Sequence, residues 1–181
     1  MSQIVARAET VTPGAGAAHT DTDERYMDRA LELAQQGKQK PGASPIGCII
    51  VMDGRVVAEG HNEVGILHDP TAHAEMVAIR RASAVLKRDE LRGATLYSTL
   101  QPCGTCTMAS IWSRIDRVVY GAGRGDVHRM YFEDRHLDIM NFICDAYRND
   151  VEVLGGVRRA ECAALYYGPD DSPSPDEQGN I

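Results

Sequence analysis

The stretches His73-Ala74-Glu75 and Pro102-Cys103-Gly104-Thr105-Cys106 decide the fold of this 181-residue chain. One histidine and a Cys-x-x-Cys pair offer three ligands of the type that zinc prefers. Three protein ligands leave one tetrahedral position open, as in catalytic rather than structural zinc sites. Glu75 is too close to His73 in sequence to be an independent ligand. It is instead placed to overhang the open position, where a general acid or base acts.

Both stretches are predicted to begin a helix. Residues Ala72–Leu86 place Met76, Ile79 and several alanines on one helical face. Pro102 opens a further helix that runs to about Ser113, because proline is favoured in a first helical turn. Two helix N-termini would then converge on the metal, where free N–H groups and the helix dipole favour thiolate over thiol.

Helices and strands alternate along the rest of the chain. The predicted strands cover 46–52, 55–59, 95–99, 117–121 and 151–154, and the other predicted helices cover 21–37, part of 133–147, and 158–167. The Asp53-Gly54 pair is a strong hairpin turn between the first two strands. A hairpin followed by helix–strand units implies an α/β protein with a mixed five-stranded sheet and helices on both faces.

The composition divides the chain into three parts. We expect a flexible N-terminal arm over 1–20, a single folded domain over 21–167 and an acidic, disordered tail over 168–181. Residues 1–120 carry 13 basic and 14 acidic side chains, whereas residues 121–181 carry 6 basic and 12 acidic ones. Nucleic-acid-binding proteins concentrate basic residues, so this distribution disfavours a nucleic-acid partner.

The cysteines and the apolar runs bear on the cellular compartment. The five cysteines are Cys48, Cys103, Cys106, Cys144 and Cys162. An odd count with one close pair suggests metal or redox chemistry rather than a disulfide scaffold, and we expect the other three to be buried. The longest uncharged apolar stretch, Ile46–Met52, is too short to cross a membrane, and the N-terminus lacks a signal pattern. We therefore expect a cytoplasmic protein with no membrane partner.

Each part of the zinc pattern has other interpretations. A lone His-x-Glu is usually a surface coincidence, and a lone Cys-x-x-Cys also occurs in structural zinc sites and in thioredoxin-like redox pairs. A four-cysteine site would need a second close pair, which this chain lacks. A redox pair would leave His73 and Glu75 without a role. The joint pattern is the signature of zinc deaminases.

The chain resembles the cytidine/deoxycytidylate deaminase superfamily over about residues 22–167. Within it, the likeness is to the branch of guanine deaminases, fungal-type cytosine deaminases and tRNA adenosine deaminases. The stretches that carry it are Ser44-Pro45-Ile46-Gly47, Gly60-His61-Asn62, Asp69–Glu75 and Thr95–Cys106. The resemblance implies the three-layer αβα cytidine-deaminase-like fold and the hydrolytic loss of an exocyclic amine as ammonia.

The resemblance also implies roles for individual residues. His73, Cys103 and Cys106 would hold one Zn²⁺ per subunit together with a hydroxide. Glu75 would take a proton from that water and deliver it to a ring nitrogen and then to the leaving amine.

Further residues are candidates for substrate binding by the same resemblance. Asn62 would hydrogen-bond the base, although in isolation it also fits a turn asparagine. The backbone around Ala72 and Gln101 would line the reaction centre, and His61 would be structural or at the rim.

The choice of base depends on the sequence after the fourth strand. The tRNA deaminases have a loop with Gly, Ser and Lys there and end in a basic helix, whereas this chain has an acidic end. Here Asp126 is followed by Phe132-Glu133-Asp134, which is similar to the guanine deaminase pattern. A carboxylate suits guanine, because it can accept from a ring N–H and a neighbouring amine.

By this resemblance Asp134 is the candidate base reader, Glu133 is the second candidate, and Phe132 is a stacking or wall residue. The same Glu133-Asp134 pair also fits a solvated helix start. Tyr131 departs from the pattern, which has a small glycine at this position.

Three hypotheses remain at this stage. The leading one is a zinc-dependent deaminase of a free nucleobase, either a guanine-like purine or a cytosine- or triazine-type ring. The second is an adenosine-to-inosine deaminase acting on a tRNA anticodon, supported by the central motifs and by Ser113-Arg114-Ile115. The third is a non-catalytic zinc scaffold with the same fold. In each case we expect a homodimer, and we expect Trp112 to serve core or dimer packing rather than substrate stacking.

Overall fold

The computed structural model describes residues 19–132, 139–146 and 150–174. Within these ranges the helices are α1 (Asp21–Lys38), α2 (Val64–Leu67), α3 (Ala74–Leu86), α4 (Gly104–Trp112), α5 (Ile139–Asp145) and α6 (Arg159–Ala163). The strands are β1 (Gly47–Met52), β2 (Arg55–His61), β3 (Thr95–Leu100), β4 (Arg117–Ala122) and β5 (Glu152–Gly155). No helix in the described part of the chain is both long and apolar enough to span a bilayer.

The strands form one mixed sheet in the order β2-β1-β3-β4-β5. Strand β1 pairs antiparallel with β2 and β3, whereas β3–β4 and β4–β5 are parallel pairs. The antiparallel β1–β2 pair is closed by Asp53 and Gly54, which have φ of 51° and 70° as a type I′ turn requires. The parallel pairs need crossover connections, and α4 and α5 lie in them. The predicted mixed five-stranded sheet is confirmed.

Helices cover both faces of this sheet at close range. On one face, α1 packs so closely on Gly47 that a Cβ there would collide with the backbone of Ala30. On the other face, a Cβ at Gly60 would lie 2.8 Å from the carbonyl oxygen of Ala74, at the start of α3. The three-layer αβα arrangement is therefore confirmed, and α3 lies directly over the β1–β2 hairpin.

The first turn of α1 is tied to the middle of the sheet through a buried carboxylate. Asp23 completes a capping box with Thr20 and also binds Arg117 of β4, with the shorter contact at 2.6 Å, and the Tyr97 hydroxyl of β3 at 2.8 Å. Burial opposes ionisation of Asp23, but the hydrogen bonds from Arg117 and Tyr97 outweigh it and hold its pKa well below the usual value. This contact joins three elements that are distant in sequence.

Several local expectations differ from the structure. The segment between the strand predicted over 55–59 and the helix predicted from Ala72 contains the short helix α2, and the last helix ends at Ala163 rather than at residue 167. Cys48 and Cys162 are buried, but Cys144 is exposed because α5 turns Ile139 and Ile143 inward. The predicted arm over 1–20 and tail over 168–181 lie largely outside the described residues and stay predictions.

The expectation that Trp112 packs in the core is wrong for the single chain. Its side chain is 67% exposed at the end of α4, where the described elements leave it uncovered. Dimer packing of Trp112 stays a prediction.

Candidate active site

The N-cap positions of α3 and α4 are occupied by His73 and Cys103. Helix N-caps are commonly Ser, Thr, Asp or Asn, whose side chains accept a hydrogen bond from the first turn. Neither His73 nor Cys103 makes such a bond, and both have extended backbone angles. The imidazole of His73 and the thiol of Cys103 therefore point away from their own helices and towards each other. The sequence predicts this convergence of the two helix N-termini.

Three potential metal ligands converge between these helix starts. The Nδ1 atom of His73 lies 3.7 Å from the Sγ atoms of both Cys103 and Cys106, and all three ligand atoms lie within 4.8 Å of one another. Tetrahedral zinc with ordinary Zn–N and Zn–S bonds requires N···S separations of about 3.6 Å. One nitrogen and two sulfur donors at these distances fit Zn²⁺, with a fourth position free for a small molecule.

The two thiols differ in acidity. The hydrogen bond from the Cys106 thiol lowers the pKa of Cys103 to about 4, against the opposing effect of burial and with further help from His73. The same bond raises the pKa of Cys106, and burial and the nearby Glu75 raise it further. These opposite shifts favour a thiolate at Cys103 over one at Cys106 in the metal-free pair, and metal binding would release the proton of Cys106.

The Glu75 carboxyl lies beside the ligands in the first turn of α3. Its Oε1 accepts a 3.1 Å hydrogen bond from the Ser98 hydroxyl, and its Oε2 lies 3.6 Å from Sγ of Cys106. Burial raises the pKa of Glu75, and the negative charge at Cys103 raises it further. A buried carboxyl with a raised pKa and a fixed orientation is suited to carrying a proton at neutral pH.

Ser98 is a site residue to which the sequence patterns assign no role. It sits inside the run Thr95–Leu100, where every second side chain of β3 faces α3. Because β3 also carries Thr95, Tyr97 and Thr99, polarity in this strand does not by itself single out Ser98, and its role appears only in the packing of α3 on β3.

The Asn62 amide is fixed by its surroundings, yet one of its atoms has no partner. Its backbone N–H donates to the Ile46 carbonyl at 3.0 Å, and its Oδ1 accepts from the Val64 N–H at 3.2 Å. Its Nδ2 is the only buried side-chain nitrogen or oxygen without a hydrogen-bond partner among the residues that the structure describes. An unpaired buried donor costs about 1–3 kcal/mol, a cost that an acceptor on a bound ligand would remove.

The His61 imidazole contacts the backbone carbonyl of Asn62. The Lys40 ammonium donates to Nε2 of His61 at 2.8 Å, so the ring proton is on Nδ1, which lies 3.0 Å from the Asn62 carbonyl. With the side-chain bond to Val64, this leaves Nδ2 as the one free polar group of Asn62. The prediction of a structural His61 agrees with this geometry.

Ala72 and Gln101 lie just before the candidate metal ligands in sequence, and neighbouring segments engage their polar groups. The Ala72 carbonyl accepts from the Glu63 N–H at 2.9 Å, which holds the Asn62 segment beside His73. The Gln101 side chain accepts from the Arg124 N–H at 3.2 Å, which holds the segment after β4 beside the ligand loop. Ala72 thus links the residues before His73 to the Asn62 segment, and Gln101 links the residues before Cys103 to the segment after β4. Both of these segments are expected to bind the base.

The chain has two phenylalanines, Phe132 at the end of the segment after β4 and Phe142 in α5. Phe132 is buried, and the Arg124 guanidinium lies 5.3 Å from its ring centre. Phe142 of α5, which the sequence patterns do not single out, packs against Gly104, where a Cβ would lie 3.0 Å from its Cε2. Glu133 and Asp134, the two candidate base readers, lie outside the described residues.

Comparison with known proteins gives a family model and named relatives. Residues 20–122 match the model described as the cytidine and deoxycytidylate deaminase zinc-binding region. Guanine deaminase of Bacillus subtilis is 40% identical over 111 residues, covering 61% of this chain and 71% of that protein. The tRNA-specific adenosine deaminase of the same organism is 34% identical over 149 residues, covering 79% and 85%.

A solved structure of the protein NE0047 in complex with 2,6-diaminopurine has a TM-score of 0.70 and 26% identity, covering 79% of this chain and 78% of that one. The named relatives therefore divide between those acting on a free base and those acting on tRNA.

Proposed function

The chain belongs to the cytidine and deoxycytidylate deaminase family, and from this premise we propose that it is a zinc-dependent hydrolytic deaminase of a free nucleobase. A guanine-like purine is the leading substrate class. The observation that carries the proposal is the convergence of His73, Cys103 and Cys106 within 4.8 Å, with the Glu75 carboxyl 3.6 Å from Cys106.

The reaction replaces an exocyclic amine with a carbonyl oxygen. His73, Cys103 and Cys106 would hold the metal, and when bound there zinc supplies the Lewis acidity that makes water nucleophilic near neutral pH. Glu75 takes a proton from the attacking water as a bond forms to the ring carbon that bears the amine. It delivers that proton to the adjacent ring nitrogen.

Glu75 then transfers the remaining proton of the added hydroxyl to the amine, which leaves as ammonia when the carbon–nitrogen bond breaks. The hydrogen bond from Ser98 keeps one carboxyl oxygen in place while the other exchanges protons. Burial supports this role, because it keeps the pKa of Glu75 above its ordinary value.

The orientation of Asn62 supports a base with an acceptor at a defined edge. Its Oδ1 is already engaged by Val64, so only the Nδ2 donor is available to a ligand. A ring carbonyl or an unprotonated ring nitrogen satisfies such a donor. Guanine and cytosine both carry these groups, so Asn62 supports a nucleobase without selecting between them.

The charge around the site favours a free base over RNA. Two arginines of α3 that face the loop before His73 are already paired, Arg80 with Asp69 at 3.4 Å and Arg81 with Glu63 at 2.8 Å. The C-terminal third has twice as many acidic as basic residues. Neither feature supports the phosphate contacts that dominate binding to nucleic acid.

A tRNA anticodon is the second candidate substrate. The observation that favours it is the likeness to the Bacillus subtilis tRNA-specific adenosine deaminase, which extends over more of this chain than the likeness to guanine deaminase. The non-catalytic scaffold is the third candidate, and the presence of Glu75 beside the ligands argues against it.

We also propose Asp134 as the reader of a guanine-like edge, with Glu133 as the second candidate and Phe132 as a wall of the site. This part of the proposal rests on the sequence pattern. The substitution Asp134→Asn should weaken turnover of guanine much more than that of cytosine. Equal losses on both bases would exclude a base-reading role.

The protein is further proposed to act as a homodimer. The exposed Trp112 on α4, the helix that also carries Cys106, supports this proposal. Sedimentation of the wild type and of Trp112→Glu tests it. A monomeric wild type would contradict it.

The experiment that tests the activity is ammonia release by the zinc-loaded protein, with Glu75→Ala as the blank. The panel contains guanine, 8-oxoguanine, isoguanine, cytosine, adenine, amino-triazines, guanosine and cytidine, and a separate arm follows inosine formation in tRNA. Turnover of a base but not of its nucleoside supports the proposal.

Inosine formation in tRNA without turnover of free bases would establish the second candidate instead. The binding of tRNA to the protein would then also weaken steeply as the salt concentration rises. If the folded, zinc-loaded protein neither released ammonia from any base nor formed inosine in tRNA, the non-catalytic scaffold would be favoured.

A further inference from the structure

The chain returns to the segment after β4 once α6 has ended. The His128 N–H donates to the Tyr167 carbonyl at 2.7 Å, and the Tyr167 N–H donates to the Tyr131 hydroxyl at 3.2 Å. Tyr131 and Tyr166 also stack edge to face with their ring centres 5.1 Å apart. We call these three tyrosines, Tyr131, Tyr166 and Tyr167, the clasp.

The clasp is anchored in the sheet. The Tyr166 side chain is buried, and its hydroxyl lies 2.9 Å from Oγ1 of Thr99 in β3. That oxygen also accepts the Gly47 N–H at 3.1 Å, at the start of β1. The position of Tyr166, and of the Tyr131 ring on it, is therefore set by two central strands.

A second contact holds the beginning of the same segment. Asp126 accepts the Gly123 N–H at 2.8 Å and forms an ion pair with Arg159 of α6. Residues 123–132 are thus held at one end by α6 and at the other by the clasp. Val127, between these two contacts, is buried in the core.

The segment held in this way connects to the candidate site. Its Arg124 N–H donates to the Gln101 side chain, and Gln101 lies two residues before Cys103. Its last residue, Phe132, lies buried under the Arg124 guanidinium. A shift of residues 123–132 would therefore move both groups relative to the metal ligands.

We propose that the clasp is a positioning element for substrate binding: it fixes residues 123–132, and through them Phe132 and Gln101, at the separation from the metal ligands that the base requires. The inference rests on the proposed function. Tyr131 supplies the hydroxyl of the clasp at the position where the guanine deaminase pattern has a small glycine. The pattern therefore lacks the hydroxyl that accepts the Tyr167 N–H in this chain.

The test uses two substitutions that each remove one clasp hydroxyl and keep the ring. Tyr131→Phe removes the acceptor of the Tyr167 N–H, and Tyr166→Phe removes the contact with Thr99. Tyr26→Phe is the matched control. Tyr26 also stacks on a tyrosine, at 5.2 Å, and its hydroxyl also binds a backbone group, the Gly54 carbonyl, but at the β1–β2 turn.

Each protein is measured with the best base from the panel, for zinc content and for hydrogen exchange of its backbone amides. We expect Tyr131→Phe to raise KM about fivefold, the effect of one ordinary hydrogen bond, with kcat within about twofold. Zinc content should be unchanged, and exchange should be faster over residues 123–132. Tyr166→Phe should act in the same direction, and Tyr26→Phe should change none of these quantities.

Several results would overturn the proposal. An unchanged KM in both clasp variants would show that the clasp does not position the substrate, whatever the exchange rates. Parallel losses of kcat, zinc and exchange protection throughout the chain would show a purely structural role. A wild type that is silent on every base refutes the proposed function instead. In that case, an unchanged rate of amide hydrogen exchange over residues 123–132 in Tyr131→Phe would show that the clasp does not hold this segment. Faster exchange confined to residues 123–132 would show that it does.

Discussion

The Ser98 hydroxyl donates a 3.1 Å hydrogen bond to Oε1 of Glu75 and so joins β3 to the first turn of α3. The bond crosses from the sheet to the helix layer within the buried interior. It leaves Oε2 of Glu75 facing the thiol of Cys106. The orientation of the proposed proton carrier therefore depends on a strand residue that is neither a metal ligand nor a base-binding residue.

Replacement of Ser98 should lower the rate of the chemical step. We expect Ser98→Ala to reduce kcat about tenfold, because the carboxyl loses the hydrogen bond that orients it. Zinc content should stay at the wild-type level. Ser113→Ala is the control, since that hydroxyl donates to the backbone carbonyls of Ala109 and Ser110 in α4. A wild-type kcat in Ser98→Ala would refute the positioning role.

Replacement of Glu75 should abolish turnover without loss of metal. The substitution Glu75→Gln keeps the size of the side chain and an acceptor for Ser98, but it cannot carry a proton. We expect kcat to fall by about 10³-fold, within the range for loss of a general acid–base. Ammonia release and zinc analysis measure the effect, with the exposed Glu32→Gln as the control. Retention of even a tenth of wild-type activity would contradict the mechanism.

Exchange of the free donor of Asn62 for an acceptor should weaken base binding. In Asn62→Asp one oxygen still accepts the Val64 N–H, but the atom that replaces Nδ2 repels a carbonyl or ring nitrogen. We expect KM to rise at least about tenfold, since a buried polar contact becomes unfavourable. Asn141→Asp on the exposed face of α5 is the control. If KM responded equally to both substitutions, Asn62 would not be a base contact.

Removal of the metal should expose the thiol of Cys103 to labelling. In a Cys144→Ser background the exposed cysteine is absent, and Cys48 and Cys162 are buried. We expect slow labelling of the zinc-loaded protein and fast labelling after chelation, because the pKa of Cys103 is about 4 and its thiolate reacts. Added zinc should restore protection. Equal labelling rates before and after chelation would show that Cys103 is not a ligand.

The Asp23 contact should stabilise the fold in a pH-dependent way. Asp23→Asn leaves Arg117 without its buried partner and should cost about 3 kcal/mol at pH 7. The pKa of Asp23 is lower in the folded state than in the unfolded state, where it is about 3.9. The contribution is therefore complete above that value and is lost as the pH falls below it.

Urea unfolding of the wild type and of Asp23→Asn at pH 7 and pH 3 measures this contribution. The difference in unfolding free energy should shrink at pH 3. A difference that does not change with pH would assign the effect of the substitution to packing alone.

The features that follow from local sequence were the predictable ones. The apolar periodicity after Ala72 and the proline at 102 predict the starts of α3 and α4 to within two residues, although Pro102 lies just before the N-cap Cys103 rather than in the first helical turn. The Asp53-Gly54 turn predicts the β1–β2 hairpin. The alternation of helices and strands then restricts the sheet to a few topologies.

The remaining features depend on contacts between distant segments. The Ser98–Glu75 bond depends on how α3 packs over β3, and the free Nδ2 of Asn62 depends on the short helix α2. Trp112 is exposed because none of the described elements packs over the end of α4, which the local sequence does not reveal. Asp126 belongs to the guanine deaminase pattern, but its side chain pairs with Arg159, 33 residues later.

The contact between Gly104 and Phe142 means that residue 142 can be varied to change the substrate site, whereas residue 104 cannot. Gly104 begins the helix that carries Cys106, and any larger residue there would push against the Phe142 ring. The ring belongs to α5, which contributes no metal ligand among the described residues. A library that varies residue 142 and keeps glycine at 104 can therefore enlarge the space beside the ligands without disturbing them, as an engineered preference for bulkier heterocycles would require.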